Sequence, residues 1–162
     1  MIFVMTGSQE FSFDRLLKEV DRLTGEKFIN ETVFAQTGCS DYKPKNYGFA
    51  RYINNKEFEE KIRMSRIIVT HAGTGNIITA LRMRKKVIAV PRYAKYGEHV
   101  DDHQLQIVER FAEMGVIEPC YQVEDLEQAL RNAMEKEYRP YESNTDNFVR
   151  DIENYLESVN FD

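Results

Sequence analysis

The fold is decided by the stretch Arg66-Ile-Ile-Val-Thr-His-Ala-Gly-Thr-Gly-Asn-Ile-Ile-Thr-Ala-Leu81. Its β-branched run, residues 67–69, is typical of a strand that is buried on both faces. The small residues at 71–75 allow the backbone to turn sharply, and the apolar periodicity from Asn76 onward predicts a helix. Strand, glycine-rich turn and helix N-terminus present free backbone N–H groups at one point. The stretch therefore predicts an anion site, and phosphate is the usual anion at such sites.

The glycines of this turn also fit a second interpretation, in which they serve backbone geometry alone. The turn is neither a Walker loop nor a dinucleotide fingerprint, because it lacks the spacing Gly-x-Gly-x-x-Gly. His71 favours a ligand site, because it ends the strand with a titratable side chain. The crevice of an open α/β sheet lies outside the carboxyl ends of its strands.

The composition is that of an ordinary globular protein. Its 162 residues predict a single domain, 1–162, and the net charge of −5 argues against a nucleic-acid partner. Two cysteines, Cys39 and Cys120, fit reduced intracellular thiols better than a disulfide framework. The N-terminus lacks the features of a signal peptide, and no apolar run approaches the length of a membrane span. We therefore expect a cytoplasmic protein.

Alternating strand and helix signals along the chain predict an α/β fold with a doubly wound parallel sheet. Further strands are predicted at residues 2–5, 32–36, 49–53, 87–90 and 116–117. Helices are predicted at residues 13–20, 57–64, 101–114, 123–137 and 145–159. Polar glycine turns follow two of the strands, at Gly7 and Gly38, and a polar loop over residues 92–100 follows another. In a parallel sheet these turns and the loop should meet at one edge.

The segment Asp101-Asp102-His103-Gln104 begins the predicted helix over residues 101–114. Aspartates at a helix start are expected as caps, which accounts for Asp101 and Asp102 without a ligand. Capping does not account for His103 and Gln104, so these two residues are candidates for ligand binding.

These motifs together resemble the C-terminal, nucleotide-sugar-binding half of glycosyltransferase family 28. The resemblance is carried by Thr6-Gly-Ser-Gln, Phe13-Asp-Arg-Leu, Thr70-His-Ala-Gly-Thr-Gly, Val90-Pro-Arg and, most specifically, Gly97-Glu-His-Val-Asp-Asp-His-Gln104. The chain most resembles the small catalytic subunits of split bacterial exopolysaccharide and capsule glycosyltransferases (the PssE type). These are similar to the catalytic subunit of the two-part eukaryotic UDP-GlcNAc transferase that acts on a dolichol-linked sugar. The resemblance implies a Rossmann-like sheet, the donor-binding half of a GT-B glycosyltransferase.

The resemblance also implies a UDP-sugar site whose parts fall on individual residues. The diphosphate is expected on Gly7, Ser8, Gly73, Thr74, Gly75 and Asn76, and the uracil against Tyr52 and Ile53, where a backbone amide reads its edge. The sugar hydroxyls are expected on Asp102 and Gln104, and His99 and His103 are further donor-side groups. His71 is the expected catalytic residue, offsetting the diphosphate charge as UDP departs. In relatives a glutamate binds the ribose hydroxyls. Thr79 occupies that position in this chain and can form one such hydrogen bond.

The implied reaction is inverting transfer of a hexose, with galactose or glucuronate favoured, from a UDP-sugar to a lipid-linked sugar in exopolysaccharide or capsule synthesis. No cofactor and no metal ion are expected. The family's general base lies in a separate acceptor-binding domain, so activity is expected only with a membrane-anchored partner subunit, which recruits this chain to the inner face of the membrane. Two alternatives remain: a non-catalytic nucleotide-binding regulatory domain, and a self-sufficient sugar-nucleotide epimerase, which the chain length disfavours.

Overall fold

A computed structural model describes residues 1–142 as a six-stranded parallel sheet with helices on both faces. The strands are β1 (Ile2–Met5), β2 (Val33–Gln36), β3 (Gly48–Ala50), β4 (Ile67–His71), β5 (Lys86–Val90) and β6 (Glu118–Pro119). The helices are α1 (Asp14–Gly25), α2 (Asn55–Met64), α3 (Thr74–Arg82), α4 (His103–Glu113) and α5 (Leu126–Glu135). The strand order β3-β2-β1-β4-β5-β6 confirms the predicted doubly wound, Rossmann-like sheet.

Two apolar cores lie on opposite faces of the sheet, and β1 shows how the sequence builds both. Alternate side chains of a strand point to opposite faces. Ile2 and Val4 join the core that α1 and α5 cover, whereas Phe3 and Met5 join the core that α2, α3 and α4 cover. Helices pack on both faces of the sheet, which explains why the strands are uniformly apolar. That pattern is the one from which burial on both faces was predicted.

The two edge strands differ from the predicted boundaries. β3 ends at Ala50 rather than residue 53; its pairing with β2 ends at Gln36, and beyond it, among the described residues, only the backbone amides of Thr37 and Gly38 bond to the backbone of this segment, at Ala50 and Arg51. β6 begins at Glu118, whereas residues 116–117 were predicted as the strand. Those two residues are buried in the core below α4, and the chain reaches the edge of β5 only at Glu118, which pairs with Ile88.

Helix boundaries differ as well: α1 runs to Gly25, five residues beyond its predicted end, and α2 and α4 begin at Asn55 and His103 rather than at 57 and 101. α3 begins at Thr74, two residues before the predicted start, so the glycine turn contains the first turn of the helix. The predicted helix over residues 123–137 is a short 3-10 turn, Val123–Asp125, followed by α5. The predicted helix over residues 145–159 lies outside the described residues.

No helix within residues 1–142 has the length and apolar character needed to cross a bilayer.

Candidate functional site

The carboxyl ends of β1 and β4 border a cavity of about 310 Å³, which we call the edge cavity. Strand order reverses between these two neighbouring strands, and the ligand crevices of open α/β sheets lie at such points. The edge cavity is lined by Gly7, Ser8, Gln9, Gln36, His71, Ala72, Gly73, Thr74, Gly75, Asn76, His99, His103, Gln104 and Ile107. The fold thus brings the turns after β1 and β4 together with the start of α4.

The N-terminus of α3 provides unpaired backbone donors at this cavity. Gly73 is the N-cap residue and has no side chain with which to cap the helix. Within residues 1–142, the amides of Thr74, Gly75 and Asn76 donate to no protein acceptor. All three residues line the edge cavity. An anion bound here would accept these hydrogen bonds and meet the positive end of the helix dipole.

The His71 ring lies between the turns after β1 and β4 and explains two of their glycines. A Cβ atom at Gly7 would lie 2.8 Å from the ring, and one at Gly73 would lie 2.3 Å from its Nε2 atom. Gly7 also has a φ of 90°, which other residues rarely adopt. Packing against His71 therefore requires glycine at both positions, with or without a phosphate ligand.

Gly75 differs from these two glycines, because a Cβ atom there would have no neighbour within 4 Å among residues 1–142, apart from the adjoining backbone of α3. It lies in the first turn of α3, where alanine is a better helix former than glycine. The fold therefore gives no reason for a bare backbone at this position. Close approach of a ligand to the backbone is such a reason.

His71 is uncharged near pH 7. Burial lowers its pKa, and the nearby guanidinium of Arg92 and the ring of His99 lower it further. A hydrogen bond to the backbone of Met5 acts in the opposite direction, and the resulting pKa is about 4. The neutral ring carries one N–H group, which the Met5 backbone already accepts, so in this state His71 offers the cavity neither a positive charge nor a second donor.

The positive charge near the cavity belongs instead to Arg92, which the sequence analysis did not select. Its side chain is 1% exposed, and one Nη atom donates to the carbonyl oxygens of Thr6 and, at 3.1 Å, of Phe11. Arg92 thereby holds the backbone on both sides of the turn at Gly7. Its Nε and other Nη atoms form no hydrogen bond within the described residues. A buried cation that is incompletely paired favours an anion nearby.

Glu98 anchors the loop that leads from β5 to α4. Its buried carboxylate forms a bidentate pair with Arg15, at 2.8 and 2.9 Å, and accepts a hydrogen bond from the Tyr93 amide at 3.2 Å. Arg15 lies on α1, the helix that follows the turn at Gly7. The pair therefore fixes the loop between β5 and α4 against α1. The string of polar residues before Gln104 thus includes structural as well as cavity residues.

Gln104 is 3% exposed and lines the edge cavity. Its side-chain oxygen accepts a hydrogen bond from the Arg92 amide at 3.1 Å. The side-chain nitrogen has no hydrogen-bond acceptor within residues 1–142, so it is the group that remains for a ligand.

Asp102 and Thr79 lie outside the cavity lining. Asp102 is the N-cap residue of α4, but its carboxylate accepts from the Ala94 amide at 2.8 Å instead of capping the helix. The Thr79 hydroxyl donates to the Gly75 carbonyl at 2.7 Å, one turn earlier in α3. Both side chains therefore have protein partners that a sugar or ribose hydroxyl would have to share or replace.

Tyr52 and Ile53 also lie outside the cavity lining. The exposed Tyr52 side chain places its hydroxyl 3.1 Å from the Cys39 sulfur. The Ile53 amide donates to the side-chain oxygen of Gln36 at 3.2 Å, so it is already occupied. Gln36 lines the cavity, and its position as the last residue of a strand gave no signal of this role.

A second cavity, of about 730 Å³, lies at the opposite edge of the sheet. It is bordered by the end of α3, by Lys86 at the amino end of β5, and by residues 137–142. Although this cavity is larger, the amino ends of parallel strands are not where α/β sheets bind their ligands. The edge cavity is therefore the candidate functional site.

The charge states of His71 and Arg92 give a direct prediction. In an NMR titration His71 should show a pKa near 4, and Arg92→Met should move it toward the ordinary value of 6.5 by removing the guanidinium. Lys95→Met, which removes an exposed cation of the same loop, should leave the pKa unchanged. A native-state pKa below the unfolded value contributes stability that is complete above pH 6.5 and is lost as the pH falls through 4. Titration of native His71 near 6.5 would contradict this account.

Sequence comparison matches the chain over residues 1–156 to the family described as the glycosyltransferase family 28 C-terminal domain. UDP-N-acetylglucosamine transferase subunit ALG13 of Candida glabrata is 40% identical over 55 residues, which are 34% of this chain and 26% of that protein. The subunit of the same name from Saccharomyces cerevisiae is 32% identical over 78 residues, 48% of this chain and 37% of that protein. The matched stretches thus span well under half of these relatives.

Among solved structures, the crystal structure of Acinetobacter baumannii MurG is similar to this fold with a TM-score of 0.55. The match covers 81% of this chain and 40% of MurG at 17% sequence identity, and it supports the fold assignment, a Rossmann-like half of the GT-B type. Together with the family match over nearly the whole chain, the sheet order and the cavity at its switch point lead to one conclusion. The chain belongs to the glycosyltransferase family 28 C-terminal domain family.

Proposed function

We propose that this chain is the UDP-sugar-binding, catalytic subunit of an inverting glycosyltransferase that works with a partner subunit. The observation that carries the proposal is Gly75, a bare backbone position in the uncapped first turn of α3, which the fold itself does not require. It lies at the switch point of the sheet, and the turn at Gly7, which also lines the cavity, is held by a buried arginine. These features suit a diphosphate, the most highly charged part of a UDP-sugar.

In this proposal the diphosphate lies across the N-terminus of α3 and the turn at Gly7. The amides of Thr74, Gly75 and Asn76 donate to its oxygens, and Ser8 offers an exposed hydroxyl from the other side. The buried charge of Arg92 and the helix dipole provide the positive potential that a departing UDP needs.

The sugar is assigned to the end of the cavity formed by the start of α4. The free amide nitrogen of Gln104 suits a hydroxyl acceptor, and His99 and His103 line the same end. Asp102 is proposed to contact the sugar through the carboxylate oxygen that Ala94 does not use.

The nucleoside is assigned to the surface beyond Gln36. The uracil is proposed to pack near Tyr52 and Ile53, and its edge would be read by the Tyr52 amide, since the Ile53 amide is bonded to Gln36. The ribose would lie near Thr79, the position at which relatives are expected to carry a glutamate.

In the transfer step an acceptor hydroxyl oxygen attacks the anomeric carbon of the sugar. The bond from that carbon to the phosphate oxygen breaks, UDP leaves with the electron pair, and the hydroxyl proton passes to a general base. We assign that base to the partner subunit, which would also hold a lipid-linked sugar acceptor and the membrane anchor. This chain would then act at the cytoplasmic face of the membrane.

For the pathway we propose exopolysaccharide or capsule synthesis with a subunit of the PssE type, and galactose or glucuronate as the transferred hexose. Because several relatives are named UDP-N-acetylglucosamine transferase subunits, UDP-N-acetylglucosamine is a further donor to test. The cavity residues that would contact sugar hydroxyls are generic hydrogen-bonding groups, so a panel of UDP-sugars decides among these donors.

The diphosphate assignment is tested with Gly75→Val. A Cβ atom at this position would have no neighbour within 4 Å among residues 1–142 outside the backbone of α3, so we expect the variant to unfold near the wild-type temperature, yet the side chain occupies the space that a phosphate would approach. We expect UDP affinity to fall by about tenfold or more, since loss of a charged hydrogen bond alone has this magnitude. Uridine, which lacks the phosphates, should bind both proteins equally in calorimetric titrations. Wild-type affinity of Gly75→Val for UDP would contradict the assignment. Gly73→Val is unsuitable for this test, because it displaces His71.

The sugar assignment is tested with Gln104→Met, which keeps the length of the buried side chain and removes its hydrogen-bonding groups. Binding of the matching UDP-sugar should weaken by roughly 1–3 kcal/mol, the usual effect of leaving a partner unpaired. Binding of UDP alone should change little. If UDP and the UDP-sugar lose the same affinity, Gln104 acts on the nucleotide or on the loop through Arg92.

The subunit assignment is tested by transfer assays with a lipid-linked acceptor. The purified chain should bind UDP but transfer no sugar, and activity should appear when the acceptor-binding partner is added. Gly75→Val should assemble with the partner and remain inactive. Turnover by the purified chain alone would disprove the division of labour, and UDP binding without turnover beside any partner would favour the regulatory alternative.

A further inference from the structure

Asp101 lies between two histidines of the edge cavity and contacts the rings of both. His99 and His103 line the cavity, whereas the side chain of Asp101 is exposed. The backbone of Asp101 bonds to His99 and its carboxylate bonds to His103, so different groups of one residue hold the two rings. The donor sugar is assigned to this end of the cavity, so these rings decide which hydrogen bonds are open to it.

The His99 ring is held with its Nδ1 atom as a hydrogen-bond acceptor. The backbone N–H group of Asp101 donates to this atom at 3.4 Å. The ring is buried, and its centre lies 5.2 Å from that of Phe11 and 4.6 Å from that of His103. A neutral imidazole that accepts at Nδ1 carries its proton on Nε2. No acceptor is bonded to this Nε2 atom within residues 1–142, so His99 offers the cavity an N–H donor.

The His103 ring is held in the opposite sense by the carboxylate of Asp101. The Oδ1 atom of Asp101 bonds to Nδ1 of this ring and accepts the His103 amide at 3.1 Å. These two hydrogen bonds lower the pKa of Asp101, so its carboxylate is ionised near neutral pH and can only accept. Nδ1 of His103 therefore carries a proton, and Nε2 of the neutral ring is a bare acceptor. No donor within residues 1–142 is bonded to that Nε2 atom.

We propose that Asp101 sets opposite tautomers in His99 and His103, so that the sugar end of the edge cavity offers one N–H donor and one bare acceptor nitrogen. The inference rests on the proposed function and identifies groups that contact the donor sugar. A sugar hydroxyl both donates and accepts, so it can bond to either ring. A carboxylate or carbonyl group only accepts, so it can bond to His99 but not to the neutral His103. Asp101 is thus a positioning residue, and His103 selects a hydroxyl at the position that it contacts.

The tautomers are tested without a ligand, by NMR of the ¹⁵N-labelled imidazole rings of the full chain near pH 8, where an ordinary histidine is neutral. We expect a proton on Nε2 of His99 and on Nδ1 of His103. Asp101→Ala removes the carboxylate but keeps the backbone N–H group, so His103 should change to a mixture of tautomers while His99 keeps its own. Glu109→Gln, which changes an exposed carboxylate on the same helix, should alter neither ring.

Two results of this experiment overturn the proposal. One is a proton on Nε2 of His103 in the wild-type protein, whether the ring is neutral or charged. The other is a His103 tautomer that Asp101→Ala leaves unchanged, because Asp101 would then not position the ring.

The contact with the sugar is tested by calorimetric titration with UDP, UDP-galactose, UDP-glucuronate and UDP-N-acetylglucosamine. His103→Phe keeps a flat ring without the acceptor nitrogen, so the UDP-sugar that the wild-type protein binds most tightly should bind about tenfold more weakly. His103→Gln should retain most of that affinity, because its side-chain oxygen can accept in place of Nε2. Asp101→Ala should lose part of it, because only some of its molecules have a bare Nε2 atom. UDP alone should bind all four proteins alike.

The outcomes separate this inference from the proposed function. If UDP and the UDP-sugar lose the same affinity in His103→Phe, or neither loses any, the contact is overturned while the donor site stands. If the wild-type protein does not bind UDP at all, the proposed function is refuted and the contact with a sugar falls with it. The tautomers of the free chain are then decided by the NMR spectra alone.

Discussion

The packing of the His71 ring between Gly7 and Gly73 is the contact on which the edge cavity depends. The ring fills the space that any side chain at either glycine would need, so it sets the separation of the turns after β1 and β4. These are the strands between which the sheet order reverses. The imidazole of His71 lies between the two turns and keeps them apart, so a crevice remains at this edge of the sheet.

The electrostatics of the cavity follow from the same burial. Beside a buried guanidinium, the pKa of His71 falls to about 4 and the ring stays neutral, so the fixed positive charge is that of Arg92. Arg92 is held by backbone carbonyls of the first turn and not by a carboxylate, because Glu98 is already bonded to Arg15. Its charge acts on the cavity lining at His71, whose pKa it lowers. In the proposed transfer reaction, Arg92 and the uncapped N-terminus of α3 would together stabilise the negative charge that develops on the departing UDP.

The sequence was sufficient for the architecture and for the meeting of the glycine turns at one edge of the sheet. Apolar β-branched runs with polar glycine turns at their ends predict parallel strands, and the turns at Gly7 and residues 71–75 do meet at one edge. Edge-strand limits were less accurate, since the end of β3 and the start of β6 depend on how each strand pairs with its neighbour and not on composition.

Individual roles within the site were harder to predict, because they depend on which groups the protein already uses. Three groups look available for a ligand in the sequence but have protein partners in the structure. They are the amide of Ile53, the hydroxyl of Thr79 and one oxygen of Asp102. The neutral state of His71 and the buried charge of Arg92 depend on burial and on distances between residues far apart in the chain. A motif shows the type of a side chain, whereas its free atoms and its charge are set by the fold.

The central claim is that a nucleoside diphosphate binds where the turn at Gly7 meets the N-terminus of α3. It is tested most directly by adding UDP to ¹⁵N-labelled protein and recording amide chemical shifts. The account predicts that the largest changes fall on Gly7, Ser8 and the amides of Thr74, Gly75 and Asn76, which form hydrogen bonds to the phosphates. Changes concentrated at the opposite edge of the sheet, around Lys86 and residues 137–142, with those amides unaffected, would contradict it.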